Sequence, residues 1–111
     1  YVTGMVGKWH MGQQSDRPGF DFWASFLGQG SYNDATFYVN GTATPTTGWV
    51  DDVSTDYALS FINSNYSNAF ALHIGFKSPH GPTTPPDWAA NLYSNSVSRA
   101  VPNLTVPPPY R

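Results

Sequence analysis

A lysine and a histidine two residues apart, Lys8 and His10 in Gly7-Lys8-Trp9-His10, and a second pair, Lys77 and His80 in Lys77-Ser78-Pro79-His80, are the side chains of this sequence best suited to chemistry. On an extended chain Lys8 and His10 point to one side, about 6.5 Å apart, while Trp9 points to the other and anchors in the core. A Lys ammonium is a compact fixed charge for an oxyanion, and an imidazole moves a proton near neutral pH. In open parallel sheets ligands bind beyond the carboxyl ends of strands. If two neighbouring strands deliver these pairs, the four residues converge on one anion-sized point suited to transferring or hydrolysing a sulfuryl or phosphoryl group. Spacing alone leaves a second reading open, in which Lys8 and His10 form a solvated strand rim and Pro79-His80 is a turn beside the sheet.

The elements that would hold these residues follow from periodicity and turn chemistry. Residues 1–9 are small, β-branched and apolar and run into Gly12, which predicts a short buried strand. Residues 12–32 carry Pro18, Gly19, Gly28 and Gly30 among five aromatics, which predicts an ordered loop packed by its own rings, with at most a helical turn at 22–27. Residues 37–39 and 42–44 flank Asn40-Gly41, a hairpin signal. From Asp51, Val53, Tyr57, Ala58, Phe61 and Ile62 recur at helical offsets while Ser54, Asp56, Ser60 and Asn63 face away; Asp51 or Asp52 caps this helix, and 63–65 end it. The continuous apolar run 70–76 reads as a central strand of a parallel sheet, covered on both faces. A loop stiffened by Pro79, Pro82, Pro85 and Pro86 follows, then a short helix over 87–93 and an irregular remainder.

Composition narrows the class. Charged residues are 11% of the chain, against about 25% in typical domains, which excludes a charged disordered tail, a coiled coil and a basic nucleic-acid module. The formal net charge of −2 steers no partner strongly. There is no cysteine, so disulfides, zinc fingers and a thiol nucleophile are absent from these 111 residues. The longest apolar run is too short to cross a bilayer, and no signal-peptide pattern is present. The start at Tyr1 and the proline-rich stretch 106–111 lead to the expectation of one domain piece, residues 1–111, incomplete at both ends.

Tyr1-Val2-Thr3-Gly4-Met5-Val6-Gly7-Lys8-Trp9-His10 resembles the second signature of type I sulfatases, Gly-Tyr-x-Thr-x-x-x-Gly-Lys-Trp-His, lacking only the leading Gly. Pro18-Gly19-Phe20-Asp21 is similar to the Gly-Phe-Asp that follows the signature, and residues 70–82 resemble the family's strand plus Pro-His-x-Pro segment. The aromatic loop, the hairpin and the helix look closest to the branch acting on N-acetylglucosamine 6-sulfate in glycosaminoglycans and mucins. The resemblance implies an α/β fold, part of an alkaline-phosphatase-like sulfatase domain with a mostly parallel sheet flanked by helices. It implies a sulfuric ester hydrolase acting on a sulfated carbohydrate through a formylglycine nucleophile, dependent on Ca²⁺, and reached by a secretory route.

Carried over position by position, the resemblance makes Lys8 the group that holds and neutralises the transferring sulfate. It makes His10 the base that expels sulfate from the nucleophile, and His80 the contact at the leaving oxygen, where it protonates the departing alcohol. Lys77 would contact sulfate or sugar. The family's nucleophile motif and its calcium ligands match no residues here, so no metal ligand is assigned and the 111-residue piece alone is expected to be inactive. Two alternatives keep their place: a phosphonate or phosphate ester hydrolase of the same superfamily, and a noncatalytic carbohydrate-binding segment using the aromatics.

Other residues have plainer readings. Asp51, Asp52 and Asp56 lack the spacing of a calcium loop and read as helix capping and a solvated face. His73 reads as a core or interface histidine. Phe20, Phe22, Trp23, Phe26 and Tyr32 read as packing for their own loop rather than a sugar platform. Asn40, Asn65 and Asn103 begin Asn-x-Ser/Thr sequons.

Overall fold

The computed structural model describes residues 1–12 and 19–101. Pro18, Asn103 and the stretch 106–111, which entered the sequence reading, lie outside the described residues. The chain runs β1 (Val2–Lys8), β2 (Phe22–Phe26), β3 (Thr36–Val39), β4 (Thr42–Pro45), α1 (Val50–Asn65) and β5 (Phe70–Gly75), followed by a 3₁₀ turn at Asp87–Ala89. The strands form one mixed sheet in the order β4-β3-β2-β1-β5. β1 pairs in parallel with β2 and with β5, whereas β2-β3 and β3-β4 are antiparallel.

The hairpin forms where Asn40-Gly41 predicts it, with φ of 49° and 91° at the two turn residues. Asn40 also ties the hairpin to β2: its side-chain oxygen accepts the Trp23 N–H at 2.9 Å, and its own N–H donates to the Trp23 carbonyl at 2.7 Å. Two aromatic layers fill the faces of the sheet. On the α1 side Phe26 and Phe37 meet edge to face at 5.4 Å, and Tyr57 and Phe61 of α1 pack on Phe22. On the other side Trp9, Phe20 and Trp23 form a cluster with ring separations of 5.4–6.1 Å. Trp9 is therefore the anchor that the alternation along β1 predicts, and the rings of the loop are core.

Several expectations are corrected. Residues 22–26 are a full strand, not a loop with a helical turn: Gly4 to Lys8 of β1 pair with Phe22 to Phe26, and this long-range ladder overrides a local pattern rich in Gly and aromatics. Ser54 faces inward, fully buried, and donates to the Val50 carbonyl at 2.7 Å; a small, self-satisfied side chain lets α1 approach the sheet closely. The N-cap of α1 is Trp49, without a side-chain cap bond, because the carbonyl of Tyr32 receives the Val50 N–H at 2.7 Å and Asp51 is engaged elsewhere. Finally, β5 is the edge of the sheet among the described residues, with Ala71, His73 and Ile74 exposed and Leu72 against the core. His73 is exposed among the described residues, and the 87–93 helix is reduced to a single 3₁₀ turn.

Candidate active site at the carboxyl ends of β1 and β5

β1 and β5 are direct neighbours, with Gly7 opposite Gly75, so Lys8 and Lys77 leave the sheet from adjacent strand ends. The two backbones are close enough that a Cβ on Gly7, whose φ is +90°, would sit 2.1 Å from the Gly75 carbonyl oxygen. Only glycine fits there. Beyond Lys8 the chain bends through His10 at φ 52°, and beyond Gly75 it enters a loop whose Ser78-Pro79 and Gly81-Pro82 bonds are both cis.

A third segment closes the site. The turn that ends β2 is drawn together by the Gly30 N–H donating to the Leu27 carbonyl at 3.0 Å, and a Cβ at Gly30 would strike the Phe26 ring at 2.4 Å. This turn carries Gln29 into the space between the two basic pairs. The Gln29 side-chain oxygen accepts from Lys8 Nζ at 2.5 Å, its amide nitrogen lies 3.4 Å from His10 Nδ1, and its backbone carbonyl accepts from Lys77 Nζ at 2.9 Å. Lys77 is 4% exposed, and its ammonium also lies over the Tyr32 ring, 4.6 Å from the centroid.

Tyr32 joins His80 to the same group. Its hydroxyl donates to the His80 backbone carbonyl, its ring stacks on Trp49 at 4.5 Å, and its carbonyl caps α1. His80 Nδ1 is 2.8 Å from the Gly81 carbonyl, an acceptor only, so Nδ1 carries a proton and Nε2 is the nitrogen left for other partners. Gln29, Tyr32, Asn33, Lys77, His80 and Thr84 are among the residues lining an open cleft of about 510 Å³. Lys8 and His10 adjoin it through Gln29. The loop after β5 is held from below by Asp51, whose carboxylate accepts the backbone N–H of Lys77 and of Ser78.

The structure therefore gathers Lys8, His10 and Lys77 around one glutamine and brings His80 to the same cleft through Tyr32. Gln29, Tyr32 and Asp51 were not among the expected site residues. The only local signal for Gln29 is a polar residue between two glycines, Gly28-Gln29-Gly30, just beyond a strand. Among the described residues no group of three or more His, Cys, Asp or Glu side chains could hold a metal ion. The residues described thus do not fit a calcium site by themselves.

The model of the Sulfatase family matches residues 1–105. The chain belongs to the sulfatase family. Over 108 residues it is 32% identical to the N-acetylglucosamine-6-O-sulfatase of Bacteroides thetaiotaomicron, an alignment covering 94% of this chain and 19% of that protein. It is 25% identical over 117 residues to the uncharacterized sulfatase YdeN of Escherichia coli K12, covering 78% of this chain and 21% of YdeN. BT4656, solved in complex with its substrate D-glucosamine-2-N,6-O-disulfate, superposes with a TM-score of 0.81 at 29% identity, covering 93% of this chain and 21% of that one. The sulfatase fold is thus established for this chain, which spans about a fifth of the length of these relatives. Its mixed sheet, with three parallel strands and an antiparallel hairpin edge, is the form the expected mostly parallel architecture takes here.

Proposed function

We propose that this chain is the part of a sulfatase that grips the sulfate ester of a 6-sulfated N-acetylglucosamine unit in a glycosaminoglycan or mucin-type glycan. The observation that carries this reading is the convergence of Lys8, His10 and Lys77 on Gln29 at the carboxyl ends of β1 and β5, in a family member. The sugar follows from the comparisons: one curated relative is an N-acetylglucosamine-6-O-sulfatase, and the structural neighbour was solved with a 6-O-sulfated glucosamine.

In this reading the Lys8 ammonium neutralises charge on the sulfate oxygens, which develops further as the S–O bond breaks. His80, as the doubly protonated imidazolium, supplies from Nε2 the proton that the departing sugar oxygen takes up and keeps the Nδ1–H that the Gly81 carbonyl holds. His10 works from Nε2 as well, on an oxygen of the sulfate or of the nucleophile. Lys77, already bonded to Gln29 and Tyr32, braces the floor of the cleft. In this reading the nucleophilic oxygen would come from a formylglycine, and charge stabilisation from a Ca²⁺ ion, both held by residues other than 1–111.

Sulfate release from N-acetylglucosamine 6-sulfate by the full-length protein, compared with its Lys8→Ala and His80→Ala variants, tests the proposal. The expected loss is about 100-fold or more for each. Undiminished turnover in both variants removes the site. Sugar binding without any turnover in the parent leaves a carbohydrate-binding segment, and faster cleavage of the matching phosphate ester places the protein among the phosphate ester hydrolases.

A further inference from the structure

We infer that Gln29 is a positioning residue that fixes both the Lys8 ammonium and the tautomer of His10, making His10 a hydrogen-bond donor at the bound anion. This rests on the reading of Lys8 and His10 as sulfate-site residues. The orientation of the carboxamide follows from its neighbours. A Lys ammonium only donates, so the oxygen of Gln29 must face Lys8, as it does at 2.5 Å. The amide nitrogen then faces His10 Nδ1, at 3.4 Å. That nitrogen only donates, so Nδ1 must accept, and the neutral ring carries its proton on Nε2. The relay runs in one direction, from Lys8 N–H through the Gln29 amide to His10.

The consequence is chemical. With Nδ1 occupied as an acceptor, Nε2–H meets an incoming anion as a donor, and together with the Lys8 ammonium it offers two donors to an anionic oxygen. For Nε2 to accept a proton instead, the contact with Gln29 must open and Nδ1 must take up the hydrogen. The backbone supports this role independently of the side chain: the Gln29 carbonyl is tied to buried Lys77, and the turn is fixed by the Leu27–Gly30 bond and by the lack of room for a side chain at Gly30. Replacing the side chain therefore removes the relay while the turn and its Lys77 bond remain.

The experiment uses the full-length protein with ¹⁵N-labelled histidine, the His10 ring being identified by the signals lost in His10→Ala. At a pH where His10 is neutral, wild type is expected to show a protonated Nε2 and a bare Nδ1. Gln29→Glu, whose carboxylate has no N–H to give, is expected to move the proton to Nδ1, and Gln29→Ala to give a mixture. In sulfate release, Gln29→Ala should lower kcat about 10- to 100-fold, the scale of a misplaced catalytic group, with a smaller change in KM. It should add almost nothing when Lys8 is already Ala. A wild-type ring protonated at Nδ1 overturns the inference. So does wild-type kcat in Gln29→Ala when Lys8→Ala has lost activity. If Lys8→Ala itself keeps full turnover, the reading of the site fails, and the ring signals alone then decide whether Gln29 sets the tautomer.

Discussion

The carboxylate of Asp51, in the first turn of α1, accepts the backbone N–H of Lys77 at 2.8 Å through one oxygen and that of Ser78 at 3.0 Å through the other. A helix start and a strand end 26 residues apart are thereby clamped, and the clamp fixes where Lys77 and His80 leave the sheet. A carboxylate in this place also lies at the positive end of the helix dipole. It serves a loop rather than its own helix.

Removing the clamp should loosen the site before it melts the fold. Asp51→Ala is expected to cost about 2 kcal/mol, as for hydrogen bonds to a charged group, and Asp51→Asn less because one carbonyl acceptor remains. Denaturant midpoints of the full-length protein check this, and an unchanged midpoint for Asp51→Ala would show that the clamp is redundant.

Gly7 should tolerate no side chain. The added Cβ of Gly7→Ala would lie 2.1 Å from the Gly75 carbonyl oxygen, on a backbone at φ +90° that L-residues rarely adopt. The obstruction is backbone on both sides and cannot swing away, so the expected cost is at least about 3 kcal/mol. Soluble yield and the thermal midpoint report it; a wild-type midpoint in Gly7→Ala would mean the two strand ends are not so closely paired.

Lys77 is expected to matter for stability as well as for binding. Its buried ammonium meets the Gln29 carbonyl and the Tyr32 ring, so Lys77→Met leaves that carbonyl without its donor at a cost of about 1–3 kcal/mol. Lys77→Ala adds the loss of the packed stem. A midpoint unmoved by Lys77→Met would assign this lysine to substrate contact alone.

Alkaline pH should weaken the core through Tyr57. Burial holds its phenol pKa above the ordinary value of 10.0, because the folded protein disfavours the phenolate. The unfolded chain then loses this proton first, so the contribution is intact below pH 10.0 and declines as pH rises through the raised folded value. Tyr57→Phe should flatten that part of the stability-pH profile. An ultraviolet titration in which Tyr57 ionises like a free tyrosine contradicts the burial argument.

Much of this architecture is legible in the sequence. The strand read over 1–9 (observed Val2–Lys8), the Asn40-Gly41 hairpin, the amphipathic run through Phe61, the strand read over 70–76 (observed Phe70–Gly75) and the family itself can be read from residue order, because each depends on short-range turn chemistry, helical or strand periodicity, or a long contiguous motif. What only the tertiary structure decided is how distant pieces meet. β2 became a strand because β1 offered it a ladder; Ser54 turned inward because α1 packs close to Gly7; and Gln29, Tyr32 and Asp51 joined the site through bonds to partners 19 to 48 residues away. A single polar residue on a turn carries no periodicity to mark it. Its value is set by which cations and carbonyls the folded chain places within hydrogen-bond reach.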